Sequence, residues 1–241
     1  MMDIHSHILP GIDDGASSMD ETLGIVRQLQ EAGFNTLIAT PHVMDGNSYA
    51  KPAEILAATE RVKKCILEAG IHVDILPGAE NYIFPDMANW VLEGKLLTLG
   101  NTKKYLLVEL PLLEIPLYTD HVFFNLQVNG ITPVLAHPER YKALSEKPER
   151  LLEWAKKGIL FQLNLRSLSG KYGPQPLHLA KLLLQNQLIH FIGSDAHRVS
   201  RNPFAYKEVL RHLHEIPGEK LCHEFYVPRP AMQEPQQQRS I

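Results

Sequence analysis

Seven short apolar runs, rich in β-branched residues, recur along the chain and alternate with segments that carry helix signals. The runs are Asp3–Leu9, Thr36–His42, Val73–Glu80, Lys104–Leu110, Thr132–His137, Ile159–Leu165 and His190–His197. The helix signals cover Ser18–Gly33, Pro52–Gly70, Pro85–Leu92, Asp120–Val128, Pro148–Lys157, Leu177–Leu184 and Ala205–Leu213. Because parallel neighbours need a crossover of a dozen or more residues, which a helix supplies, this alternation predicts an α/β fold with parallel strands. A barrel is favoured, but an open doubly wound sheet has the same pattern.

The domain organisation follows from length and local composition. A chain of 241 residues can form one α/β barrel domain, and we find no internal repeat or linker. We therefore predict a single domain over residues 1–227. The tail at 228–241 contains three prolines and three consecutive glutamines without an apolar period, which predicts a flexible end.

Charge and hydrophobicity exclude several kinds of partner. The formal net charge is −3, with acidic and basic residues mixed along the chain, so there is no electrostatic footprint for nucleic acid. No apolar run approaches the roughly 20 residues that a membrane-spanning helix needs. We expect a cytoplasmic protein without membrane insertion. Cys65 and Cys222 stand alone, without a second cysteine nearby, and are not expected to bind metal.

Nearly every predicted strand ends in a side chain that can bind a metal ion. His5 and His7 are two residues apart, and so are Asp195 and His197, which places each pair on one face of its strand. The remaining strands end in His42, Glu80, Glu109 and His137. The carboxyl ends of parallel barrel strands meet at one mouth, and carboxylates buried there need compensating charge. The pattern predicts a shared metal site, whereas any single motif could belong to a surface histidine or a helix cap.

The loop after the first predicted strand carries two further carboxylates. Asp13 and Asp14 lie close in sequence to His7 and precede Gly15. A simple Asp-Gly turn accounts for the loop on its own, and for the loop alone it is the favoured interpretation.

Taken together, the motifs resemble the polymerase and histidinol phosphatase (PHP) superfamily. They are His5-x-His7, Leu9–Gly15, Ala39–His42, Gly78–Glu80, Ala136–Tyr141 and Gly193–His197. Within that superfamily the chain is most similar to the manganese-dependent protein tyrosine phosphatases of bacterial capsule and exopolysaccharide systems, from residue 2 to about residue 215. The resemblance implies a distorted (β/α)7 barrel, the PHP fold.

The resemblance also implies a site with two or three metal ions. His5, His7, Glu80 and Asp195 would hold one ion, Glu80, Glu109 and His137 a second, and Asp14, His42 and His197 a third, with Asp13 as the alternative to Asp14. Imidazole and carboxylate ligands without thiolate suit manganese, iron or zinc. The family implies Mn²⁺.

The expected chemistry is hydrolysis of a phosphate monoester. Paired metal ions lower the pKa of a bridging water, so no protein nucleophile is required. An arginine beside the ions should bind the phosphoryl oxygens. Arg140 is the first candidate, with a surface salt bridge to Glu139 or Glu146 as its alternative interpretation.

Two further residues are assigned to catalysis. The resemblance implies a second phosphate-binding arginine at Arg201, with Arg198 as its competitor because the spacing after His197 differs by one residue. His42 is assigned to catalysis as well as to the metal site.

The implied substrate is the phosphotyrosine tail of a membrane-bound tyrosine autokinase that controls capsule or exopolysaccharide synthesis. The apolar segment Leu110–Tyr118 could form a pocket wall or lid for an aromatic ring, or simply pack on the barrel. Neither cysteine is followed at the required distance by the arginine of a cysteine-dependent phosphatase. The alternatives are a small-molecule phosphoesterase of histidinol-phosphatase type and a non-enzymatic metal-binding module.

Overall fold

The structure is a computed structural model that describes residues 1–44, 50–202 and 205–214. The predicted tail at 228–241, the boundary at residue 227 and Cys222 lie outside the described residues. In the described part of the chain, no helix is both long and apolar enough to cross a membrane.

Strands and helices alternate, as the sequence predicts. The strands are β1 (Met2–Ser6), β2 (Thr36–Ala39), β3 (His42–Val43), β4 (Asp74–Pro77), β5 (Glu80–Tyr82), β6 (Tyr105–Glu109), β7 (Thr132–Ala136), β8 (Leu160–Asn164) and β9 (Phe191–Gly193). The α-helices are α1 (Met19–Glu31), α2 (Pro52–Glu68), α3 (Met87–Leu92), α4 (Thr119–Val128), α5 (Lys142–Glu146), α6 (Glu149–Lys156), α7 (Leu165–Leu168), α8 (Pro174–Gln185) and α9 (Ala205–His214). The short helices α5 and α7 were not predicted.

The strands form a curled parallel sheet. β1, β2 and β4 pair in that order, and β3, β5, β6, β7, β8 and β9 pair in that order. The last strand position returns to the first, because His7 N donates to Ala196 O at 3.0 Å and Asp195 N donates to His5 O at 2.8 Å. The predicted barrel-like α/β fold is confirmed, and the open doubly wound sheet is not what the chain forms.

Two of the seven predicted strands are each broken into two short ones. The predicted run Thr36–His42 is interrupted at Pro41, which has no N–H to donate to a strand ladder. The run Val73–Glu80 is interrupted at Gly78, where a Cβ atom would lie 2.9 Å from the Ile38 side chain. These breaks divide the sheet in two and account for the distortion of the barrel.

Apolar side chains fill the barrel on its amino-terminal side. The inner cluster consists of Ile4, Ile38, Leu99, Leu107, Val134, Ala136 and Phe191. Leu99 belongs to a 3₁₀ helix, Leu99–Asn101, that contacts β4 and β6, two strands that do not pair with each other. A larger apolar layer lies between the strands and the helices, to which α1 contributes Ile25 and Leu29. The metal-binding candidates therefore lie above a closed apolar floor.

An irregularity in β1 decides which side chains face the interior. Asp3 pairs with Leu37, but Ser6 pairs with Ala39, so β1 uses three residue steps where β2 uses two. Such a bulge reverses the alternation of side chains beyond it. Ile4 packs in the inner cluster, and His5 also faces the interior, where its ring contacts Gln162 of β8.

Candidate metal centre

The nine side chains predicted as ligands converge at the carboxyl ends of the strands, with Glu80 at their centre. Glu80 is only 1% exposed. Its Oε2 atom lies 3.0 Å from His5 Nε2, 3.3 Å from His7 Nε2 and 3.1 Å from His42 Nδ1. Its Oε1 atom lies 3.0 Å from His137 Nε2. Side chains separated by more than 130 residues in sequence thus share one carboxylate.

The donor atoms fall into three overlapping groups, each with all its atoms within 4.8 Å of one another. The groups are His7 with Asp14, His42 and His197; His5 with His7 and Glu80; and His42 with Glu80 and Glu109. Asp195 Oδ1 lies beside the second group, 3.5 Å from His7 Nε2 and 3.7 Å from His5 Nε2. His137 Nε2 lies 3.8 Å from Glu109 Oε1, next to the third group.

This donor set fits cations better than it fits hydrogen bonds. Donors that share an ion at about 2.1 Å lie about 3.0 to 3.4 Å from one another, which matches the spacing around Glu80. Within the described residues, Glu80 Oε2 is buried without a hydrogen bond of acceptable geometry, although three imidazole nitrogens surround it. Leaving a buried carboxylate oxygen in this state is costly, and a bound cation would satisfy it.

Three imidazoles use Nδ1 for hydrogen bonds outside the centre. The acceptors are Gln162 Oε1 for His5 at 2.9 Å, Asp13 Oδ2 for His7 at 2.7 Å and the Asp195 carbonyl for His197 at 3.1 Å. An acceptor at Nδ1 requires the hydrogen on that nitrogen, which leaves the Nε2 lone pair directed into the centre. Histidines that bind metals in proteins show this arrangement.

The electrostatic field of the centre favours positive charge. Burial by itself lowers the pKa of His5, but the Glu80 and Asp195 carboxylates outweigh burial and raise it to about 9. Burial by itself raises the pKa of Glu80, but the imidazoles of His5, His137 and His7 hold it well below its ordinary value. Protons and metal ions therefore compete for the same imidazole nitrogens.

The structure separates the roles of the two loop aspartates. Asp13 has a buried side chain whose Oδ2 accepts hydrogen bonds from His7 Nδ1 at 2.7 Å and from the His42 backbone N–H at 3.0 Å. Asp14 has a side chain that is 68% exposed, and its Oδ1 lies 3.4 Å from His197 Nε2 and 3.6 Å from His42 Nε2. Asp14 therefore joins the donor groups, while Asp13 lies behind His7. A simple Asp-Gly turn does not account for these contacts.

Two of the candidate ligands have strained backbone conformations. His137 follows β7 with φ of 32°, and Asp195 follows β9 with φ of 49°. Residues other than glycine seldom adopt this left-handed region, and they persist there when surrounding contacts hold them. His137 N donates to Gln162 Oε1 at 3.2 Å, and Asp195 N donates to His5 O at 2.8 Å. One contact comes from His5, a candidate ligand, and the other from Gln162, which also contacts the His5 ring.

Arg140 lies against the centre. Its Nη1 donates to Asp195 Oδ2 at 2.9 Å, and its guanidinium carbon lies 4.5 Å from the centroid of the Tyr172 ring. The alternative interpretation, a surface salt bridge to Glu139 or Glu146, is wrong. Glu139 is buried and accepts hydrogen bonds from α7 and its N-cap residue, and Glu146 lies near Lys142.

The two other arginines differ in their surroundings. Arg198 Nη1 donates to the Asp14 carbonyl at 2.8 Å and also contacts the Gly15 carbonyl, so it braces the loop after β1. Arg201 is exposed. Arg198 therefore contacts the loop that carries Asp14, whereas Arg201 lies at the surface.

Sequence reasoning missed two polar side chains of β8. Gln162 and Asn164 are fully buried, and Asn164 Nδ2 donates to Asp195 Oδ2 at 2.6 Å. The signal was present: they alternate with Phe161 and Leu163, and polar residues at a period of two in an otherwise apolar strand indicate a polar interior face.

The apolar segment after Glu109 is only partly packed. Leu110 is buried, and its N–H donates to the Tyr141 hydroxyl at 3.0 Å. Leu112, Leu113 and Leu117 are exposed. Packing on the barrel therefore accounts for Leu110 but not for the three exposed leucines.

The sequence is similar to that of a family of capsule-associated proteins and to tyrosine-protein phosphatases. Residues 1–232 match a family model described as capsular polysaccharide synthesis, CpsB/CapC. The chain is 36% identical to the tyrosine-protein phosphatase YwqE of Bacillus subtilis over 221 residues, 92% of this chain and 87% of YwqE. It is 32% identical to the tyrosine-protein phosphatase CpsB of Streptococcus agalactiae, over 88% of this chain and 90% of CpsB.

Solved structures with a similar fold include metal-dependent tyrosine phosphatases. The fold matches a chain from crystal structures of YwqE from Bacillus subtilis and CpsB from Streptococcus pneumoniae, described as unique metal-dependent tyrosine phosphatases, with a TM-score of 0.86, 36% identity and coverage of 91% and 89% of the two chains. A histidinol phosphate phosphatase from Lactococcus lactis shares the fold, with a TM-score of 0.56, 14% identity and coverage of 91% and 94%.

Proposed function

Because the chain belongs to the CpsB/CapC family of capsular polysaccharide synthesis, we propose that it is a metal-dependent protein tyrosine phosphatase that hydrolyses phosphotyrosine. The observation that carries the proposal is the buried Glu80 carboxylate with three imidazole nitrogens within 3.3 Å of one oxygen. The relatives named as tyrosine-protein phosphatases, which this chain matches over most of its length, support the substrate class.

The proposed ligands divide among two or three ions. One ion is assigned to His5, His7, Glu80 and Asp195, a second to Glu80, Glu109 and His137, and a third to Asp14, His42 and His197. Glu80 would bridge the first two, which its two oxygens allow because they face different imidazoles. The donors contain no thiolate, and Mn²⁺ is the ion we propose, with iron or zinc as substitutes.

The chain's own residues would bind and orient the phosphate. When bound, the metal ions supply Lewis-acid activation of a water molecule and neutralise phosphoryl charge. Arg140 has one N–H on Asp195 and one face on Tyr172, so its remaining donors keep a fixed direction and can hold phosphoryl oxygens. Arg201 is proposed as a second phosphate ligand. A tyrosine leaving group, with a pKa near 10, needs little protonation to depart.

His42 is proposed to act in catalysis as well as in metal binding. Its Nε2 lies 3.6 Å from Asp14 Oδ1, and its Nδ1 lies 3.5 Å from Glu109 Oε2. The ring therefore joins two donor groups, and its side chain is 22% exposed. This position would allow His42 to orient the phosphoryl group between the two groups.

We propose as the substrate the phosphotyrosine tail of a membrane-bound tyrosine autokinase, which the phosphatase would meet in the cytoplasm. The family's description, capsular polysaccharide synthesis, supports this choice. The exposed Leu112, Leu113 and Leu117 follow Glu109 closely and would offer apolar contact to residues that flank the phosphotyrosine. The net charge of −3 gives no support for nucleic acid as a partner.

The test is an assay on protein that is stripped with a chelator and reloaded with Mn²⁺. Phosphotyrosyl peptides, phosphoseryl peptides and histidinol phosphate serve as substrates. We expect Mn²⁺-dependent hydrolysis of phosphotyrosine, abolished in His5→Ala and Asp195→Ala. His178→Ala is the matched control, because His178 is exposed on α8, outside the donor groups.

Two results would contradict the proposal. Faster turnover of histidinol phosphate than of phosphotyrosyl peptides would indicate a small-molecule phosphoesterase. A metal-loaded preparation that hydrolyses none of the three substrates would indicate a binding module.

A further inference from the structure

Gln162 lies beneath the centre and contacts two candidate ligands at once. It is fully buried in β8, and its Oε1 accepts hydrogen bonds from His5 Nδ1 at 2.9 Å and from the His137 backbone N–H at 3.2 Å. His5 belongs to β1 and His137 follows β7, so one side-chain oxygen links two separate strands. Gly193 of β9 leaves the space that Gln162 occupies, since a Cβ there would lie 2.6 Å from Gln162 Nε2.

We propose that Gln162 is a positioning residue for the metal centre. Its side-chain oxygen fixes the His5 ring with the hydrogen on Nδ1, and it holds His137 close enough to His5 for both imidazoles to reach the Glu80 carboxylate. This rests on the metal centre of the proposed function. His5 Nε2 and His137 Nε2 lie 3.0 Å from different oxygens of Glu80. Gln162 Oε1 accepts hydrogen bonds from the far side of the His5 ring, at Nδ1, and from the backbone N–H of His137. Gln162 and Glu80 therefore hold the two histidines from opposite ends.

The neutral amide has a physical reason. His7 has a carboxylate, Asp13, behind its Nδ1, whereas His5 has an amide. The centre already contains Glu80 and Asp195 within 3.7 Å of His5, and a third buried carboxylate there would have to be neutralised. An amide oxygen directs the ring without adding charge. A partner at Nδ1 both orients a ligand histidine and makes its free nitrogen more basic, and the loss of such a partner weakens metal binding about 10- to 100-fold.

The experiment compares Gln162→Met with Gln162→Glu. Methionine keeps the length of the side chain but removes the hydrogen-bond acceptor. Glutamate keeps both the length and an acceptor oxygen. The affinity and stoichiometry for Mn²⁺ are measured by calorimetry against a competing chelator. We expect the affinity of Gln162→Met to fall about 10- to 100-fold. The affinity of Gln162→Glu should stay close to wild type because bound cations neutralise the added carboxylate, whereas its metal-free form should be less stable than that of wild type. In Zn²⁺-loaded protein, the NMR signal of the His5 Nδ1 proton should be present in wild type and lost to solvent exchange in Gln162→Met.

The matched control is Thr59→Val, which removes a buried hydroxyl that donates to Ile55 O within α2, away from the centre. It should leave Mn²⁺ affinity unchanged. The proposal is overturned if Gln162→Met binds Mn²⁺ like wild type, if Thr59→Val loses as much affinity, or if Gln162→Glu loses as much affinity as Gln162→Met while its metal-free form is still folded by circular dichroism. Metal affinity and the NMR signal are measured without turnover. A failure of the proposed phosphatase activity can therefore be distinguished from a failure of the role proposed for Gln162.

Discussion

Replacement of Gly193 by alanine should damage the metal centre through a defined steric conflict. Gly193 ends β9, and a Cβ built on it would lie 2.6 Å from His5 Cβ and 2.6 Å from Gln162 Nε2. Contacts between non-bonded carbons are comfortable at about 3.5 to 4.0 Å. The Gln162 amide can move by rotation about its own bonds, but His5 Cβ is fixed to the backbone of β1. The backbone of β1 or β9 must therefore shift by about 1 Å.

The size of the effect differs between stability and activity. Overpacking of a close-packed interior costs about 1 to 3 kcal/mol of the free energy of unfolding. A misplacement of about 1 Å at a reacting centre costs about 100-fold in rate. We therefore expect Gly193→Ala to fold, to melt at a lower temperature and to lose about 100-fold in kcat/KM together with much of its Mn²⁺ affinity.

Gly70→Ala is the control that separates strain from site damage. Gly70 follows α2 with φ of +69°, and a Cβ there would meet nothing within 4 Å. Alanine in this left-handed conformation costs roughly 1 to 2 kcal/mol, without contact to the centre. Both variants should lose similar stability by thermal or urea unfolding, but only Gly193→Ala should lose metal and turnover. If Gly193→Ala keeps wild-type Mn²⁺ affinity and kcat/KM, the close approach of β9 to His5 does not limit the site, and the reasoning is refuted.

Three further predictions concern the phosphate, the protons and the metal. Tyr172→Leu should raise KM for phosphotyrosyl peptide and weaken inhibition by inorganic phosphate, because the Tyr172 ring supports the Arg140 guanidinium at 4.5 Å. Tyr172→Phe, which keeps the ring, should behave like wild type, and equal losses in both variants would point to the hydroxyl instead. Burial lowers the pKa of His190 below its ordinary 6.5, and its Nδ1 accepts a hydrogen bond from Phe161 N at 3.2 Å, so the unfolded chain binds the proton more tightly than the folded chain. The stability that this group contributes is therefore complete above pH 6.5 and is lost as the pH falls below it. Between pH 7.5 and pH 5.5, the free energy of unfolding in urea should decline less for His190→Gln than for wild type. Removal of the metal with a chelator should lower the free energy of unfolding by about 2.7 kcal/mol relative to protein with free Mn²⁺ at 100 times its Kd, and an unchanged melting temperature would argue against binding at the buried Glu80.

Most of the centre could be predicted from sequence because its members close apolar runs of the sequence, although His42 and Glu80 begin the short strands β3 and β5 in the structure. His42, Glu80, Glu109 and His137 each close an apolar run, and parallel strands bring such ends to one edge. The prediction needed only strand direction and did not need strand registers. The same logic placed Asp195 beside His5, although the two are separated by almost the whole chain.

The partners behind the centre could not be predicted in this way. Asp13 and Asp14 are adjacent in sequence, yet one bonds to His7 Nδ1 and the other faces His197 Nε2. That choice depends on backbone angles in a loop, which residue types do not determine. Gln162 was missed for a different reason: its role depends on the lateral register of β8 against β7, where Ala136 pairs with Gln162 and brings the amide beneath the His137 backbone.

The bulge in β1 shows why a correct face assignment can still leave the fold undetermined. The period of two placed His5 and His7 on one face of a strand, which is confirmed, but a regular strand would have put Ile4 on the opposite face. In the structure Ile4 belongs to the inner apolar cluster, and His5 contacts Gln162 above it, so both neighbours face the barrel. The extra residue between Asp3 and Ser6 makes this possible. Asp3 holds it in place, since its Oδ1 accepts hydrogen bonds from His5 N at 3.1 Å and from Ser194 N at 2.9 Å. β1 thereby contributes Ile4 to the apolar floor and His5 to the centre, which a uniform alternation of side chains could not provide.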